Sequence, residues 1–319
     1  MILASISPAQ WALVVPCCAA TLYIMFAALV RYGHPVRRVN TDEKPVSLRP
    51  VSVLKPLCGF ESRLHANLET FCKQTHPCFE LLFGVASLED PAVAIVERLR
   101  AAHPDTDIKL VVDASLYGSN RKVSNLSNLE NRARHELIVI ADSDISVQPD
   151  YLVKVTGPLL TAGVGVVTCL YRARRIGNFW ARLGALFIDE WFSPSVYLAH
   201  AAGSQRFGFG ATLAIRRETL DAVGGLRAFR NCVADDFSIA QAVRRMGLRT
   251  YLSGMHDDEV VLRGNIQRVR NREPVRWRVE QAAARDERGG LCKPGRIPER
   301  TDFALRLIAR ARAAVESVI

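Results

Sequence analysis

The sequence has eight cysteines but no CxxC pair and no paired metal-ligand spacing. Thiols scattered this way exclude a disulfide-stapled framework and read as reduced cysteines of a cytosolic domain. Residues 1–10 (MILASISPAQ) hold no basic side chain, and a cleaved signal peptide needs a basic n-region. No internal repeat is visible, and no second twenty-residue apolar run follows the first. A nucleic-acid recognition motif is also missing. The net charge of +10 therefore points to small phosphates or an anionic membrane face, and no nucleic-acid partner is expected.

What is present begins with residues 11–30, WALVVPCCAATLYIMFAALV, twenty residues without charge. A helix of that length spans about 30 Å, the hydrocarbon thickness of a bilayer. Arg31, Arg37, Arg38 and Lys44 follow it, so the positive-inside bias puts the C-terminal side in the cytoplasm. The expectation is a single-pass inner-membrane protein, with residues 1–33 as anchor and the proline-punctuated residues 34–49 as linker.

From residue 50 apolar runs alternate with amphipathic ones. Strands are expected at 51–54, 80–85, 108–112 and 137–141, and helices at 63–72, 91–102 and 125–134. Strands alternating with ten-residue helices indicate an α/β fold with a mainly parallel sheet and flanking helices. Ligands of such sheets bind beyond the carboxyl ends of the strands.

The chemistry-bearing residues cluster at those ends. Asp142-Ser143-Asp144 follows the wholly apolar strand LIVIA. Residues two apart on an extended chain project to one side, and two hard oxygen ligands there suit Mg²⁺ or Mn²⁺. An acidic turn capping a strand fits the same residues. Asp235-Asp236 opens FSIAQAVRRMG, whose apolar spacing is helical. One of the pair can cap that helix while the other acts as a base, or both simply favour its dipole. In residues 207–217, Gly208, Gly210 and Ala211 precede an apolar stretch, as a close backbone approach or a bulge requires. Lys122, Asn125 and Asn128 lie on a segment entering a helix, where a cation and amides can meet phosphates; a solvated helix start is the plainer reading. Trp180, Leu183, Phe187 and Trp191 share a rough helical face, suited to a membrane interface or to a core.

These pieces occur in order from about residue 50 to 251: VSVLKPLCGFESRLHANLETFCKQTHPCFELLFGVA, EDPA, NRKVSNLSNL, IADSDISVQPDYL, FGATLAIRRETLDAVGGL and VADDFSIAQAVRRMG. Together they resemble the ceramide glucosyltransferase family, including bacterial relatives that glycosylate hopanoids. The resemblance implies a GT-A type fold over residues 50–252, a UDP-sugar donor, a membrane-lipid acceptor, Mg²⁺ or Mn²⁺, and inversion at the anomeric carbon. Asp142 and Asp144 match the family's metal and nucleotide-binding acidic motif, and Asp236 matches its catalytic base. Lys55 and Pro56 match the segment that holds the nucleobase, and Lys122 and Asn125 fall on the donor side.

The sequence departs from the family at two places. Ser87 stands where the family's first acidic residue falls, with Glu89 or Asp90 as nearby substitutes. The family's QxxRW-like motif is reduced to Arg276-Trp277 after Glu273-Pro274, leaving that pair as the acceptor or interface candidate. Residues 253–319 form an atypical Arg-rich tail, expected to reflect a frame shift, a truncation or a replaced terminus; resequencing that junction tests this. The tail ends in an amphipathic stretch carrying Leu307, Ile308, Ala311, Val315 and Val318. A catalytically impaired relative that only binds nucleotide-sugar or lipid is the alternative. A processive polysaccharide synthase would need several membrane helices, and only one is visible.

Overall fold

A computed structural model describes residues 7–33, 49–59, 61, 63–173, 179–253 and 261–262. In chain order, α1 (Pro8–Gly33) precedes β1 (Val51–Pro56), α2 (Leu64–Cys72), β2 (Phe79–Val85), α3 (Ala92–Ala102), β3 (Asp107–Val112), α4 (Arg121–Glu130) and β4 (Leu137–Ala141). Then follow α5 (Tyr151–Thr156), β5 (Val164–Cys169), β6 (Arg172–Ala173), α6 (Phe179–Phe187), α7 (Ser193–Ala201), β7 (Thr212–Arg216), α8 (Arg217–Ala222), α9 (Asp235–Arg245), β8 (Arg249–Ser253) and β9 (Val261–Leu262). A π-helical turn, Ile188–Phe192, joins α6 to α7.

The main sheet has seven strands in the order β3-β2-β1-β4-β7-β5-β8. β1 pairs in parallel with both β2 and β4, β2 with β3, and β5 with β8. β7 is the exception, running antiparallel to β4 and β5. It pairs Thr212 with Ala141, so the chain just before β7 arrives at the carboxyl end of β4. That reversal brings the glycine-bearing segment to the acidic one.

All five residues of β4 are buried, as an apolar strand covered on both faces requires. Successive strand residues point to opposite faces. Val53, Leu81, Phe83 and Val139 pack with Leu68, Phe71, Leu99 and Tyr151 on one side. Leu54, Leu82, Ile138 and Ile140 pack with Leu126, Leu129, Ile239 and Val243 on the other. Burying each such side chain contributes about 1.5–3 kcal/mol. Gly84 lets α4 approach β2, since a Cβ there would lie 2.1 Å from Asn125 Oδ1.

α4 begins four residues before the sequence-based expectation. The Asn120 side chain accepts the Val123 N–H at 3.1 Å, an N-cap that starts the helix early and puts Lys122 in its first turn. Six of the cysteines, Cys17, Cys18, Cys58, Cys72, Cys78 and Cys169, are free thiols, whereas Cys232 is disulfide-bonded, which departs from the expectation of reduced cysteines throughout. α1 contains a 19-residue apolar span, Trp11–Leu29, long and apolar enough to cross a membrane. Most of the linker and most of the Arg-rich tail, with Arg276, Trp277 and the terminal amphipathic stretch, lie outside the described residues. Within the expected tail, Val261–Leu262 is described and pairs in parallel with β6.

Candidate active site

β1 and β4 are neighbours, yet the chain leaves β1 toward β2 on one side and places β4 on the other. Such a reversal of strand order opens a crevice at the carboxyl edge, and Asp142 and Asp144 stand there. Ser143, in the turn after β4, donates its hydroxyl to Glu61 Oε1 at 3.0 Å, while Asp142 Oδ2 lies toward Gly210.

Asp142 is held from three directions. Its N–H donates to Ala211 O at 3.4 Å, its carbonyl accepts Lys55 Nζ at 2.8 Å, and Lys122 Nζ lies 2.6 Å from Oδ1. Asp236 Oδ1 accepts the Phe237 N–H at 2.8 Å, which leaves Oδ2 free to turn inward. A Cβ placed on Gly210 would lie 3.1 Å from Asp236 Oδ2 and 3.6 Å from Asp142 Oδ2. The two inward oxygens therefore share the space over Gly210, and a side chain there would crowd both.

Burial pushes the Asp144 carboxyl up to about 6, helped by the negative charge of Asp142. Burial likewise raises Asp236, with Asp235 and Asp142 adding to it and the Phe237 N–H opposing. Desolvation would lower Lys122, but Asp142 and Asp235 outweigh it and hold the ammonium well above its ordinary value. Lys55 is the reverse: burial brings it down to about 7 despite Asp142 and Asp144. The Tyr171 hydroxyl is raised by burial and by the charges of Asp236, Asp142 and Asp144, so it borders the same cluster.

The cluster is short of positive charge. Four aspartates, 142, 144, 235 and 236, face two lysines, one of them easily neutralised. Asp144 Oδ1 is buried with no hydrogen-bond partner among the described residues, a costly arrangement unless a cation completes it. A divalent ion fits this deficit. No three His, Cys, Asp or Glu side chains among the described residues form a complete metal cage. Asp142 and Asp144 would then supply part of a coordination shell, the usual arrangement for Mg²⁺ shared with substrate phosphates.

The structure separates the other expected residues. Lys55 is fully buried, its ammonium 3.4 Å from the centre of the Phe71 ring and bonded to the carbonyl of Asp142, so it braces Asp142 from within the core. Pro56, beside it at the end of β1, is partly exposed. Asn125 spends its amide on Gly84 O at 2.9 Å, tying α4 to β2. Ser87 and Glu89 sit on the exposed loop after β2, where Ser87 Oγ accepts the Glu89 N–H at 3.1 Å. Asp90 accepts the Gly59 N–H at 2.9 Å and the Ala92 N–H at 2.9 Å, so it closes the loop after β1. The acidic pair of α9 does not cap its helix: Ala234 is the N-cap, without a side-chain bond.

Four contributors were not singled out from sequence. Asn120 donates to Cys232 O at 2.8 Å and to Asp235 Oδ1 at 3.4 Å, joining the starts of α4 and α9; its place before a helical segment was a readable cap signal. Tyr171 and Phe192 stack at 5.6 Å, and Phe192 meets Phe209 edge-on at 5.5 Å. No local sequence signal marks that shelf, which only the tertiary fold assembles.

Residues 11–295 match the family described as glycosyl transferase family 21. The chain belongs to glycosyl transferase family 21. Within family 21 territory it is 27% identical over 236 residues to ceramide glucosyltransferase 1 of Caenorhabditis elegans, covering 73% of this chain and 50% of that protein. It is also 27% identical over 134 residues to a ceramide glucosyltransferase of Komagataella phaffii, covering 39% of this chain and 26% of that one. The chain thus spans about half the length, or less, of these curated relatives. Its GT-A fold is shared with the mannosyltransferase PcManGT of Pyrobaculum calidifontis, solved with GDP-Man and Mn2+. That likeness has a TM-score of 0.56 at 21% identity and covers 86% of this chain and 78% of the other.

Proposed function

We propose that this family 21 chain is a membrane-bound inverting glycosyltransferase, moving a sugar from a UDP-sugar to the hydroxyl of a ceramide- or hopanoid-type lipid. The observation that carries the reading is the meeting of Asp142, Asp144 and Asp236 at one crevice, two of them sharing the space over Gly210. Relatives named as ceramide glucosyltransferases support the lipid acceptor, and the apolar span of α1 supports a membrane location. With the catalytic domain on the cytoplasmic side, both donor and acceptor are within reach.

In this mechanism Asp236 Oδ2 takes the proton of the acceptor hydroxyl. The hydroxyl oxygen forms a bond to the anomeric carbon as the bond from that carbon to UDP breaks, and UDP leaves with the electron pair. Burial raises the Asp236 carboxyl, which strengthens it as a base. Lys122 is placed to hold Asp142 and to add positive charge near the departing diphosphate. Lys55 fixes the main chain of Asp142 from below. A Mg²⁺ or Mn²⁺ held by Asp142 and Asp144 would neutralise charge on the leaving group. Pro56, Ser87, Glu89 and Asn125 remain the donor-side candidates, Asn125 acting through Gly84.

A second reading, binding without turnover, is favoured by Ser87 at the end of β2, because both nearby contacts of Asp90 are spent on the backbone. Full-length protein in detergent with UDP-sugar, Mn²⁺ and lipid decides between them through UDP release and mass spectrometry of the glycolipid. Turnover that falls at least about 100-fold in Asp236→Asn, with UDP binding retained, is the expected result. Unchanged turnover in that variant removes Asp236 as base, and absence of UDP release from wild type leaves the binding reading. Mass spectrometry of lipids from cells with and without the gene identifies sugar and acceptor.

A further inference from the structure

Outside the carboxylate cluster, α6 and the π-helical turn carry an exposed apolar surface. Leu183, Leu186, Phe187 and Trp191 are 46%, 43%, 52% and 50% exposed. Their spacing of three and four residues sets them along one face, while Ala185 behind them is buried. A contiguous stripe of large apolar side chains marks an interaction surface.

What covers it is indicated by its neighbour. The Trp191 ring lies 5.5 Å from the ring of Tyr23 on α1, so the stripe is continuous with the apolar surface of α1. The span Trp11–Leu29 of α1 is only 6% buried. A surface that long and apolar is matched by bilayer hydrocarbon. Two hydroxyls at the junction satisfy one another: Ser195 Oγ donates to Trp191 O at 2.6 Å and lies 2.8 Å from the Tyr23 hydroxyl, which donates to it. Such internal pairing is what an apolar surrounding demands. Asp189 turns inward and accepts the Ala173 N–H at 3.2 Å. Arg182, exposed beside Leu183, is positioned to reach anionic headgroups.

Behind the stripe, Phe192 stacks on Tyr171 and meets Phe209 edge-on. Phe209 directly precedes Gly210, over which Asp142 and Asp236 converge. An aromatic shelf thus connects the apolar stripe with the carboxylates.

We propose that the face bearing Leu183, Leu186, Phe187 and Trp191 rests in the boundary of the lipid bilayer beside α1, and that Tyr171, Phe192 and Phe209 form the shelf over which a membrane lipid reaches Asp236. The shelf half rests on the lipid-transfer reading of the site; the bilayer half does not.

Two measurements on the full chain in phosphatidylcholine–phosphatidylglycerol liposomes test the halves separately. The first replaces Trp11, Trp180 and Trp277 by Phe, so that Trp191 is the sole emitter, and uses lipids brominated on the acyl chains. Quenching of Trp191 is expected. A Trp191 signal unaffected by bromines, in liposomes that quench a variant retaining Trp11 alone, overturns the bilayer contact. The second compares wild type with the double variant Leu183→Glu, Phe187→Glu. Its kcat/KM for a bilayer-embedded acceptor is expected to fall about tenfold or more, with turnover of a short-chain, water-soluble acceptor retained. Equal loss on both acceptors, or no loss on either, overturns the passage of a membrane lipid from this face over the shelf to Asp236. If wild type turns over neither acceptor, the transfer reading fails and with it the shelf, while the quenching result still decides the bilayer contact.

Discussion

Replacing Gly208 by alanine is expected to separate catalysis from folding. A Cβ at this position would lie 2.7 Å from the carbonyl oxygen of Asp236, 2.9 Å from Ala240 Cβ and 3.0 Å from Phe237 Cα. All three atoms belong to α9, and two are backbone, so no flexible side-chain tip can yield. Ordinary contact begins near 3.4 Å, which obliges the first turn of α9 to retreat by about 0.7 Å in a close-packed interior. Overpacking of this kind costs about 1–3 kcal/mol, a loss of a few degrees in Tm that leaves the protein folded. Asp236 moves with the turn, and misplacement of a reacting group by about 1 Å costs about 100-fold in rate. Asp142 and Asp144 ride on the end of β4, so donor affinity should stay within about twofold. The assay is kcat and donor KM for UDP release, beside thermal unfolding followed by circular dichroism. Gly157→Ala serves as control, since nothing lies within 4 Å of the added carbon and the backbone there is already helical. A Gly208→Ala protein whose kcat stays within about twofold of wild type would falsify the link between α9 position and turnover.

Two other substitutions probe the frame around the site. Glu80, fully buried near the opposite ends of the strands, accepts Ser52 Oγ at 2.6 Å, Lys109 Nζ at 2.7 Å and the Arg134 N–H at 2.7 Å. Burial alone would raise its carboxyl, but these bonds together hold it down to about 2 from 4.5. That difference corresponds to about 3 kcal/mol at most, less in practice because Lys109 and Arg134 are partly exposed. Because the folded value is depressed, this stability is present above about pH 4.5 and is lost as pH falls toward 2. Urea unfolding of Glu80→Gln should therefore show a deficit of about 2 kcal/mol at pH 7 that shrinks on acidification; a deficit independent of pH would assign it to packing. In Lys55→Met the apolar stem stays against Phe71 and the cost of a buried ammonium disappears, so thermal stability should change little. Turnover should nonetheless drop about tenfold or more, because the carbonyl of Asp142 loses its anchor; an unchanged donor KM and kcat would remove Lys55 from the positioning of Asp142.

The sequence by itself determined whatever depends on short-range pattern. The apolar strand LIVIA, the acidic triplet after it and the long uncharged run of α1 are local signals, each set by period or by hydropathy over a few residues. Six blocks in a fixed order then determined the family. Even the start of α4 was locally written, in Asn120, although the apolar spacing alone placed it later. The tertiary structure decided what depends on contacts across long stretches of chain. The antiparallel β7 delivers Gly210 to Asp142, because pairing of Thr212 with Ala141 is not recorded in either segment's own periodicity. Asp236 reads locally as a helix cap, and only its approach to Gly210 and its burial suit it to the proposed role of base. Lys55, beside a strand end in sequence, proves to be a buried brace. Asn120 and Asp235 meet across 115 positions, and the aromatic shelf joins Tyr171, Phe192 and Phe209 from three separate segments. Burial and charge are summed over neighbours that the fold alone brings together, so the acidic motif was legible from its own residues while its chemistry was not.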